Sequence, residues 1–457
     1  MSNRNDTFIT LREKYPVFKY ESYHYSWQEQ NICLQFKFSV GKNILFEPQT
    51  IIKYHSDYQC FIEKYSLEEL DTLVFNIGMI ELISYWKSVC SPTIEILAAK
   101  IEENALPFWK KLYYNGLSEF FYTNEIRTTQ EDFVQLVVNS DKDLPKLDIK
   151  LSDKYIVPIG GGKDSVVSLE LLRTQEDIIP LIINPRGATI DCATIAGFEN
   201  NFFEIKRIIA PRLLELNAEG YLNGHTPFSA MLGFYALMIA CLSGRRHIAL
   251  SNENSANEST VIGTNVNHQY SKSYEFENDF RNYIANYLND KLDYFSFLRP
   301  ISEFQIAALF AQQKAYFSCF KSCNVGSKDN IWCTHCAKCL FTFIILSPFL
   351  SQQELISIFG EDLFYNEDLL PIFKELCGQT SSKPFECVGT IDEVCLALAN
   401  SLSKYEELPP LLKYFEQSDE YKKYKGKSLE DALQLWCKAH FLSDMAEKIL
   451  KSSLKID

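Results

Sequence analysis

The sequence predicts an α/β fold with a parallel sheet, preceded by an α+β region and followed by a mainly helical one. Two observations predict the sheet. Residues 155–172, YIVPIGGGKDSVVSLELL, show an apolar strand pattern, a glycine turn and the apolar stripe of a helix. Beyond them, strand and helix signals alternate, as parallel strands with helical crossovers require. We therefore expect three regions, at residues 1–145, 150–350 and 351–457, with a polar boundary between residues 139 and 154.

The first region shows two periodicities. Between residues 20 and 62, short alternating runs such as 32–40 and 44–46 predict a small antiparallel sheet. From residue 67 to residue 121 the apolar spacing becomes helical, and it includes residues 94–101. We expect this region to shape or recognise a substrate.

The glycine turn predicts an anion site. Glycines allow positive φ and close approach of the backbone to a ligand, and the free N–H groups at the start of the next helix concentrate positive potential. The turn is not a Walker A loop, because Asp164 stands where that motif has Ser or Thr. We expect a phosphate here, with an ordinary tight turn as the alternative. The residues concerned are Gly160, Gly161, Gly162, Lys163, Asp164 and Ser165.

Three polar side chains are further candidates for contacts with a nucleotide. Asn184 and Arg186 follow a predicted strand at residues 178–183, and ligands of such sheets bind beyond the carboxyl ends of strands. Arg299 precedes a proline and a predicted helix at residues 304–312, and arginine suits phosphate because it is a planar, permanently charged donor. A simple strand-to-helix turn and a surface arginine are the alternatives.

A polar run follows a predicted strand at residues 247–250. Polar residues at the end of a buried strand are costly unless they bind something. We therefore expect Asn252, Glu253 and Asn254 to bind magnesium, phosphate or polar groups of a substrate. The alternative is a solvated loop that caps a helix.

Five cysteines lie between Cys319 and Cys339. Two CxxC steps that share one cysteine, with another cysteine at a distance, supply four thiolates at tetrahedral spacing, which is typical of structural zinc. Such a metal would tie the end of the sheet region to the segment that follows. Cys319 or His335 is an alternative ligand. The predicted zinc ligands are Cys323, Cys333, Cys336 and Cys339.

Net charge, apolar segments and cysteine content argue against several classes of function and location. The 457 residues carry a formal net charge of −14, which argues against a broad nucleic-acid footprint. The longest apolar segment, at residues 228–242, is too short to span a bilayer, and the N-terminus shows no apolar signal core. Fourteen cysteines without a secretory signal suggest thiols and metal ligands rather than disulfides. We expect a cytoplasmic protein that binds neither nucleic acid nor membrane, and we infer no obligate protein partner.

The glycine turn resembles the loop of the ATP-pyrophosphatase family, whose core pattern is Gly-Gly-x-Asp-Ser. Residues 161–165 match this pattern, whereas Gly160 stands where the family usually has Ser. The resemblance implies a parallel sheet of the adenine-nucleotide α-hydrolase (HUP-like) type, ATP and Mg²⁺ as cofactors, and an Arg299 that faces the phosphates. A cysteine site similar to the one predicted here follows the same kind of loop in 7-cyano-7-deazaguanine synthases.

Motifs along most of the chain resemble one family more closely. They are GMIE with SYWK in the first region, GGGKDS, SNENSANE, LRPISEFQIA, WCTHCAKC and KPFECVG, of which the last is the most distinctive. The family is that of the ATP-dependent epimerases that invert the terminal glutamate of UDP-N-acetylmuramoyl-L-alanyl-L-glutamate. The resemblance implies a UDP-sugar dipeptide as substrate, an acyl-adenylate as intermediate, and a role in peptidoglycan and cell-wall biogenesis, cell shape and cell division.

Inversion requires a base and an acid on opposite faces of the α-carbon. The candidates are Cys387, Glu386, His225 and Glu253, while Asp164 and Ser165 would orient the metal and the leaving pyrophosphate. The alternatives are that Cys387 is a small buried hydrophobic residue and that His225 is a capping or packing residue before a helix whose expected N-cap is Thr226.

Two other functions stay open at this level. A different enzyme with the same loop would pass an adenylate to ammonia or sulfur, as the 7-cyano-7-deazaguanine synthases suggest. A module without enzymatic activity would only bind ATP and zinc.

Overall fold

The computed structural model describes residues 4–54, 65–264 and 266–456. Residues 55–62 of the alternating stretch therefore lie outside the described residues. Eleven strands form one sheet in the order β11-β10-β7-β8-β9-β4-β2-β1-β5-β6, with β3 beside β2. The strands are β1 Val17–Gln28, β2 Asn31–Val40, β3 Ile44–Phe46, β4 Gln49–Lys53, β5 Thr93–Ile96, β6 Gln135–Val138, β7 Ser152–Pro158, β8 Ile178–Ile183, β9 Phe203–Ile208, β10 Arg245–Leu250 and β11 Asp293–Ser296.

The predicted parallel sheet is confirmed in the second region, where β7 to β11 pair in parallel. The predicted antiparallel pairing of β2 with its neighbours is also present. The two parts are not separate sheets, because β4 pairs antiparallel with β9 and so joins them. This pairing satisfies the backbone N–H and C=O groups that an open edge at β9 would leave unpaired.

The helical spacing expected for residues 94–101 is wrong. Thr93–Ile96 is strand β5, which pairs in parallel with β1 and with β6. Ile94 and Ile96 are buried while Thr93 and Glu95 are half-buried, so the burial has a period of two. A short strand between two long helices shares its apolar residues with the helical spacing around it, which explains the error.

Two long helices form the centre of the core. Leu67–Trp86 and Phe228–Ser243 are buried along most of their length. The second begins at Phe228 with Pro227 as its N-cap residue, so the expected N-cap at Thr226 is wrong; Pro227 has a non-helical ψ of 72°. The other α-helices described up to residue 346 are Arg4–Lys14, Leu106–Gly116, Ser118–Thr123, Lys163–Arg173, Gly187–Ile195, Pro211–Ala218, Tyr274–Tyr283, Glu303–Phe310 and Ala337–Leu346.

The C-terminal region is mainly helical, as predicted. It packs on the side of the sheet that carries the helix after the glycine turn, and it shares one hydrophobic core with that helix. None of the helices in the described part of the chain combines the length and the apolar character needed to cross a bilayer. The C-terminal helices are Gln352–Phe359, Leu370–Leu376, Ile391–Ser401, Pro410–Glu416, Asp419–Tyr424, Leu429–Leu433 and Asp444–Leu454.

Candidate active site

The glycine loop joins β7 to the helix that follows it. Gly161 has a φ of +78°, and a Cβ there would lie 3.0 Å from the Ala188 backbone. Gly162 is the N-cap residue of the helix, and a Cβ there would lie 2.7 Å from Ser322 Oγ. Gly160 faces open space. The fold therefore requires glycine at position 161, a side chain at position 162 would need Ser322 to move, and position 160 has room for a side chain.

A cavity of about 390 Å³ opens over this loop at the carboxyl ends of β7 and β10, where ligands of such sheets bind. It brings together residues that are far apart in the sequence. Three lysines, Lys272, Lys321 and Lys338, also line it and give it a positive character suited to an anion. The predicted site residues in its lining are Gly160, Gly162, Asp164, Ser165, His225, Asn252 and Cys387.

Three carboxylates meet beside the loop. Oxygen atoms of Asp164, Glu253 and Glu303 lie within 4.8 Å of one another. The buried Lys163 ammonium lies 2.5 Å from Asp164 Oδ1 and also contacts Glu303. Burial alone would raise the pKa of Asp164, but the charge of Lys163 holds it below its ordinary value, whereas burial raises the pKa of Glu303. Carboxylate oxygens are the donors that Mg²⁺ prefers, so this set fits a divalent cation.

A chain of contacts leads from the thiol to two imidazoles. Cys387 Sγ lies 3.1 Å from Lys272 Nζ and 4.0 Å from His268 Nε2. His268 Nδ1 lies 2.5 Å from Glu119 Oε2, and His225 Nδ1 lies 3.3 Å from the same oxygen. We call Cys387, His268, Glu119 and His225, in this order, the thiol–imidazole chain. Both of its ends line the cavity.

The members of the thiol–imidazole chain differ in protonation. Burial would raise the pKa of the Cys387 thiol, but the charge of Lys272 and the bond with His268 lower it to about 6. Burial would lower the pKa of His268, but its bonds with Cys387 and Glu119 raise it to about 9. Burial and the charge of His268 lower the pKa of His225 to about 4. At neutral pH the cavity therefore holds a thiolate, an imidazolium and a neutral imidazole.

Four sulfur atoms form a compact cluster in the segment that follows the sheet. The distance is 3.9 Å from Cys323 to Cys336, 3.8 Å from Cys333 to Cys339 and 3.5 Å from Cys336 to Cys339. Four sulfurs bound tetrahedrally to one Zn²⁺ lie about 3.8 Å apart, so the cluster fits zinc. The alternative ligands His335 and Cys319 lie outside this group of donor atoms, and Cys319 Sγ lies 3.8 Å from Cys192 Sγ.

The cysteine cluster is connected to the glycine loop. The Lys321 amide donates to the Gly161 carbonyl at 2.8 Å, and the Asn330 side chain accepts from the Ala188 amide at 2.8 Å. Both contacts come from the segment around the first cluster cysteine, Cys323. The folding of this segment and the shape of the loop are therefore linked.

Asn184 and Arg186 lie outside the lining of the cavity. Asn184 Oδ1 accepts from the Arg207 amide at 2.9 Å and so connects the end of β8 to β9. Arg186 is exposed at the start of the next helix. Their contact with adenosine stays a prediction.

Arg299 is completely buried and does not line the cavity. It donates to Glu277 Oε2 at 3.0 Å and to the Glu253 carbonyl at 2.6 Å. Its charge is therefore neutralised within the protein. It holds the segment of Glu253 in place rather than facing the cavity.

Asn254 and Glu386 also contact other parts of the protein. Asn254 is exposed, and its side chain accepts from Asn257 at 3.4 Å. Glu386 accepts from the Lys338 amide at 2.7 Å, at the start of helix Ala337–Leu346. A carboxylate in this position caps a helix.

Four residues of the site were not predicted from the sequence: Glu119, His268, Lys272 and Lys338. Lys338 gave a usable signal, because it is the only charged residue in the apolar helix AKCLFTFIIL. The others gave none, since His268 and Lys272 lie in an irregular segment and Glu119 lies in a short helix. Their importance arises only where the fold brings them to Cys387.

The site combines a glycine loop at the end of a parallel strand with a thiolate, imidazoles and carboxylates around one cavity. This combination is typical of an α/β enzyme that acts on an anionic small molecule. The family model described as the MurL N-terminal domain matches residues 9–297, and that of the MurL C-terminal domain matches residues 315–424. The chain belongs to the MurL family.

Proteins named UDP-N-acetyl-alpha-D-muramoyl-L-alanyl-L-glutamate epimerase are similar to this chain. The one from Micromonospora sp. is 35% identical over 325 residues, which are 69% of this chain and 72% of the relative. The one from Xanthomonas oryzae pv. oryzae is 34% identical over 339 residues, 72% of this chain and 74% of the relative. No solved structure matches the chain.

Proposed function

We propose that this protein converts the terminal L-glutamate of UDP-N-acetylmuramoyl-L-alanyl-L-glutamate into D-glutamate in the cytoplasm and consumes ATP in doing so. The observation that carries the proposal is that the glycine loop and Cys387 line the same cavity. A loop suited to phosphate and a thiolate suited to proton transfer are thereby available to one substrate. The names of the relatives support the choice of substrate.

The need for ATP follows from the acidity of the α-carbon. Removing a proton next to an ionised carboxylate places a second negative charge beside the first. Joining the carboxylate to AMP removes the first charge, and pyrophosphate leaves. The α-proton is then removed from one face and a proton is added on the other, after which water releases the D-glutamate product and AMP.

The glycine loop is proposed to hold the ATP phosphates, as in the pyrophosphatase-loop superfamily with its HUP-like sheet. The three cavity lysines supply the positive charge that Arg299 was expected to provide, because they face the cavity and Arg299 does not. Asp164, Glu253 and Glu303 would hold Mg²⁺, which shields the charge of the phosphates. Ser165, whose hydroxyl donates to the Gly162 carbonyl at 3.0 Å, fixes the turn into the helix.

Cys387 and His225 are proposed as the two proton-transfer groups. They are the two ends of the thiol–imidazole chain, and each is deprotonated at neutral pH and therefore able to accept a proton. In each direction one of them takes the α-proton as a free base. The other first receives a proton from His268, across the Sγ–Nε2 contact for Cys387 or through Glu119 for His225, and delivers it to the opposite face. The captured proton then returns to His268 along the same contacts. Protonated His268, between them, holds the proton that is returned. Glu386 and Glu253 are left with structural and metal-binding roles.

Zinc is proposed at Cys323, Cys333, Cys336 and Cys339 in a structural role. Four thiolates leave no coordination position open for a substrate. The metal would fix the segment that contacts Gly161 and Ala188.

Deuterated water provides the test. The protein is incubated with ATP, Mg²⁺ and the UDP-linked dipeptide, and pyrophosphate, AMP and the glutamate α-position are followed. We expect pyrophosphate and AMP together with deuterium uptake and inversion. Pyrophosphate without exchange at carbon would instead identify an enzyme that transfers the activated acyl group. The four-cysteine cluster after the loop is also compatible with an enzyme of that kind.

A further inference from the structure

Glu119 connects the two imidazoles of the cavity. Its Oε2 atom is 2.5 Å from His268 Nδ1 and 3.3 Å from His225 Nδ1. The residue lies in helix Ser118–Thr123 of the first region, far along the sequence from Cys387. Its carboxylate is 17% exposed, so its interaction with an imidazolium is only weakly screened by water.

We propose that Glu119 is a positioning residue that acts through His268 to keep Cys387 in its thiolate form. A carboxylate that accepts the Nδ1 proton of an imidazole fixes its orientation and stabilises its positive charge. The other ring nitrogen, Nε2, then presents its proton to the sulfur. This is the arrangement of an activated nucleophile or base, in which a third group orients the partner of the reactive atom.

The charges around the thiol explain why this link matters. Lys272 Nζ lies 3.1 Å from Cys387 Sγ, and Lys338 binds the Cys387 carbonyl. Two ammonium groups therefore already contact Cys387, and positive charge near His268 disfavours its protonation. On the side away from Cys387, His268 faces neutral His225 and Glu119, with buried Lys87 behind them.

Glu119 is therefore the only carboxylate that contacts His268 in the described part of the chain. Without its charge His268 loses its proton more readily. The thiolate then keeps only the lysines as partners and becomes harder to form. The proposal depends on the proposed function for the use of the thiolate, but the ionisation can be measured without any reaction.

The test is the pH dependence of Cys387 alkylation by iodoacetamide in the full-length protein, without ATP or substrate. Mass spectrometry of the peptide that contains Cys387 separates it from the other cysteines. In the wild-type protein we expect half-maximal reactivity near pH 6. Glu119→Gln should move this midpoint upward by at least about one pH unit, which lowers the rate at acidic pH about tenfold. Glu119→Asp keeps the carboxylate and should therefore move the midpoint upward by less than Glu119→Gln does.

Glu125→Gln is the matched control, because Glu125 is exposed and close by in the sequence. It should leave the midpoint unchanged. His268→Gln should raise the midpoint by itself, and Glu119→Gln added to it should have no further effect, because residues that act through one another are not additive.

An unchanged midpoint in Glu119→Gln would overturn the proposal. An equal shift with and without His268 would also overturn it, because Glu119 would then act directly on the sulfur. If these shifts occur but the wild-type protein neither forms pyrophosphate nor exchanges the α-proton, the proposed function fails and the role of Glu119 stands.

Discussion

At the scale of the residue, the glycine loop requires glycine at position 161 but not at position 160. Gly161→Ala should lower the free energy of unfolding by about 1–2 kcal/mol, because Gly161 has positive φ and its Cβ would meet backbone. Gly160→Ser should change it by less than about 0.5 kcal/mol and should preserve binding of an ATP analogue. Urea unfolding and calorimetric titration measure both. Equal destabilisation by the two changes would contradict the loop geometry.

The two ends of the thiol–imidazole chain should serve different epimers. Cys387→Ser should abolish α-deuterium exchange of one epimer and His225→Asn that of the other, because the proposed mechanism assigns one face of the α-carbon to each group. Adenylation should continue in both variants, since the loop residues that are proposed to hold the phosphates are intact. Nuclear magnetic resonance of L- and D-glutamate substrates in deuterated water measures the exchange. Loss of exchange of the same epimer in both variants would exclude this pair.

The protonation states predict a pH range for the reaction. Cys387 takes up a proton as the pH falls through about 6, so the base is present above this pH and lost below it. His268 loses its proton as the pH rises through about 9, which removes the proton that is returned. The value of kcat/KM should therefore be bell-shaped between these values, because they are the pKa values of the free enzyme. A rate that does not change from about pH 5 to 7 would show that the thiol does not titrate there.

At the scale of the element, the cysteine segment should support the glycine loop. Cys333→Ser should remove zinc and weaken binding of an ATP analogue about fivefold. A fivefold loss corresponds to about 1 kcal/mol, the contribution of one hydrogen bond such as that from Lys321 to Gly161. Cys319→Ser, outside the cluster, should keep both zinc and affinity. Elemental analysis and calorimetry measure the two quantities. Full affinity in a zinc-free Cys333→Ser protein would show that the segment folds without metal.

Elements with a local sequence pattern could be predicted, whereas contacts between residues distant in the sequence could not. The strand, glycine turn and helix around Gly161 lie in one continuous stretch, and three of the four cluster cysteines recur at every third position. The pairing of β4 with β9 joins segments more than a hundred residues apart and leaves no local trace. Cys387 was identified from its motif, but Glu119 and His268 come from separate segments, and their function depends on tertiary contact alone.

At the scale of the whole molecule, an ion pair connects a helix of the first region to strand β9 of the second. Glu81 accepts from Arg207 on β9 at 2.5 and 2.7 Å and from Tyr235 at 2.9 Å. Glu81→Gln should lower the free energy of unfolding by about 3–5 kcal/mol, because it removes the counter-charge of Arg207, whose side chain is only 12% exposed. In the control Glu95→Gln, loss of the pair with exposed Lys19 at the protein surface should cost at most about 1 kcal/mol. Similar losses in both would contradict a structural role for the pair of Glu81 with Arg207.

The pairing of β4 with β9 also limits how the chain can be divided. A fragment that starts near residue 150 would contain the loop, the cysteines and most of the cavity, but its β9 backbone would have no neighbour on one side. Unprotected strands of this kind recruit other chains. Such a fragment would therefore be expected to aggregate instead of working as a smaller enzyme.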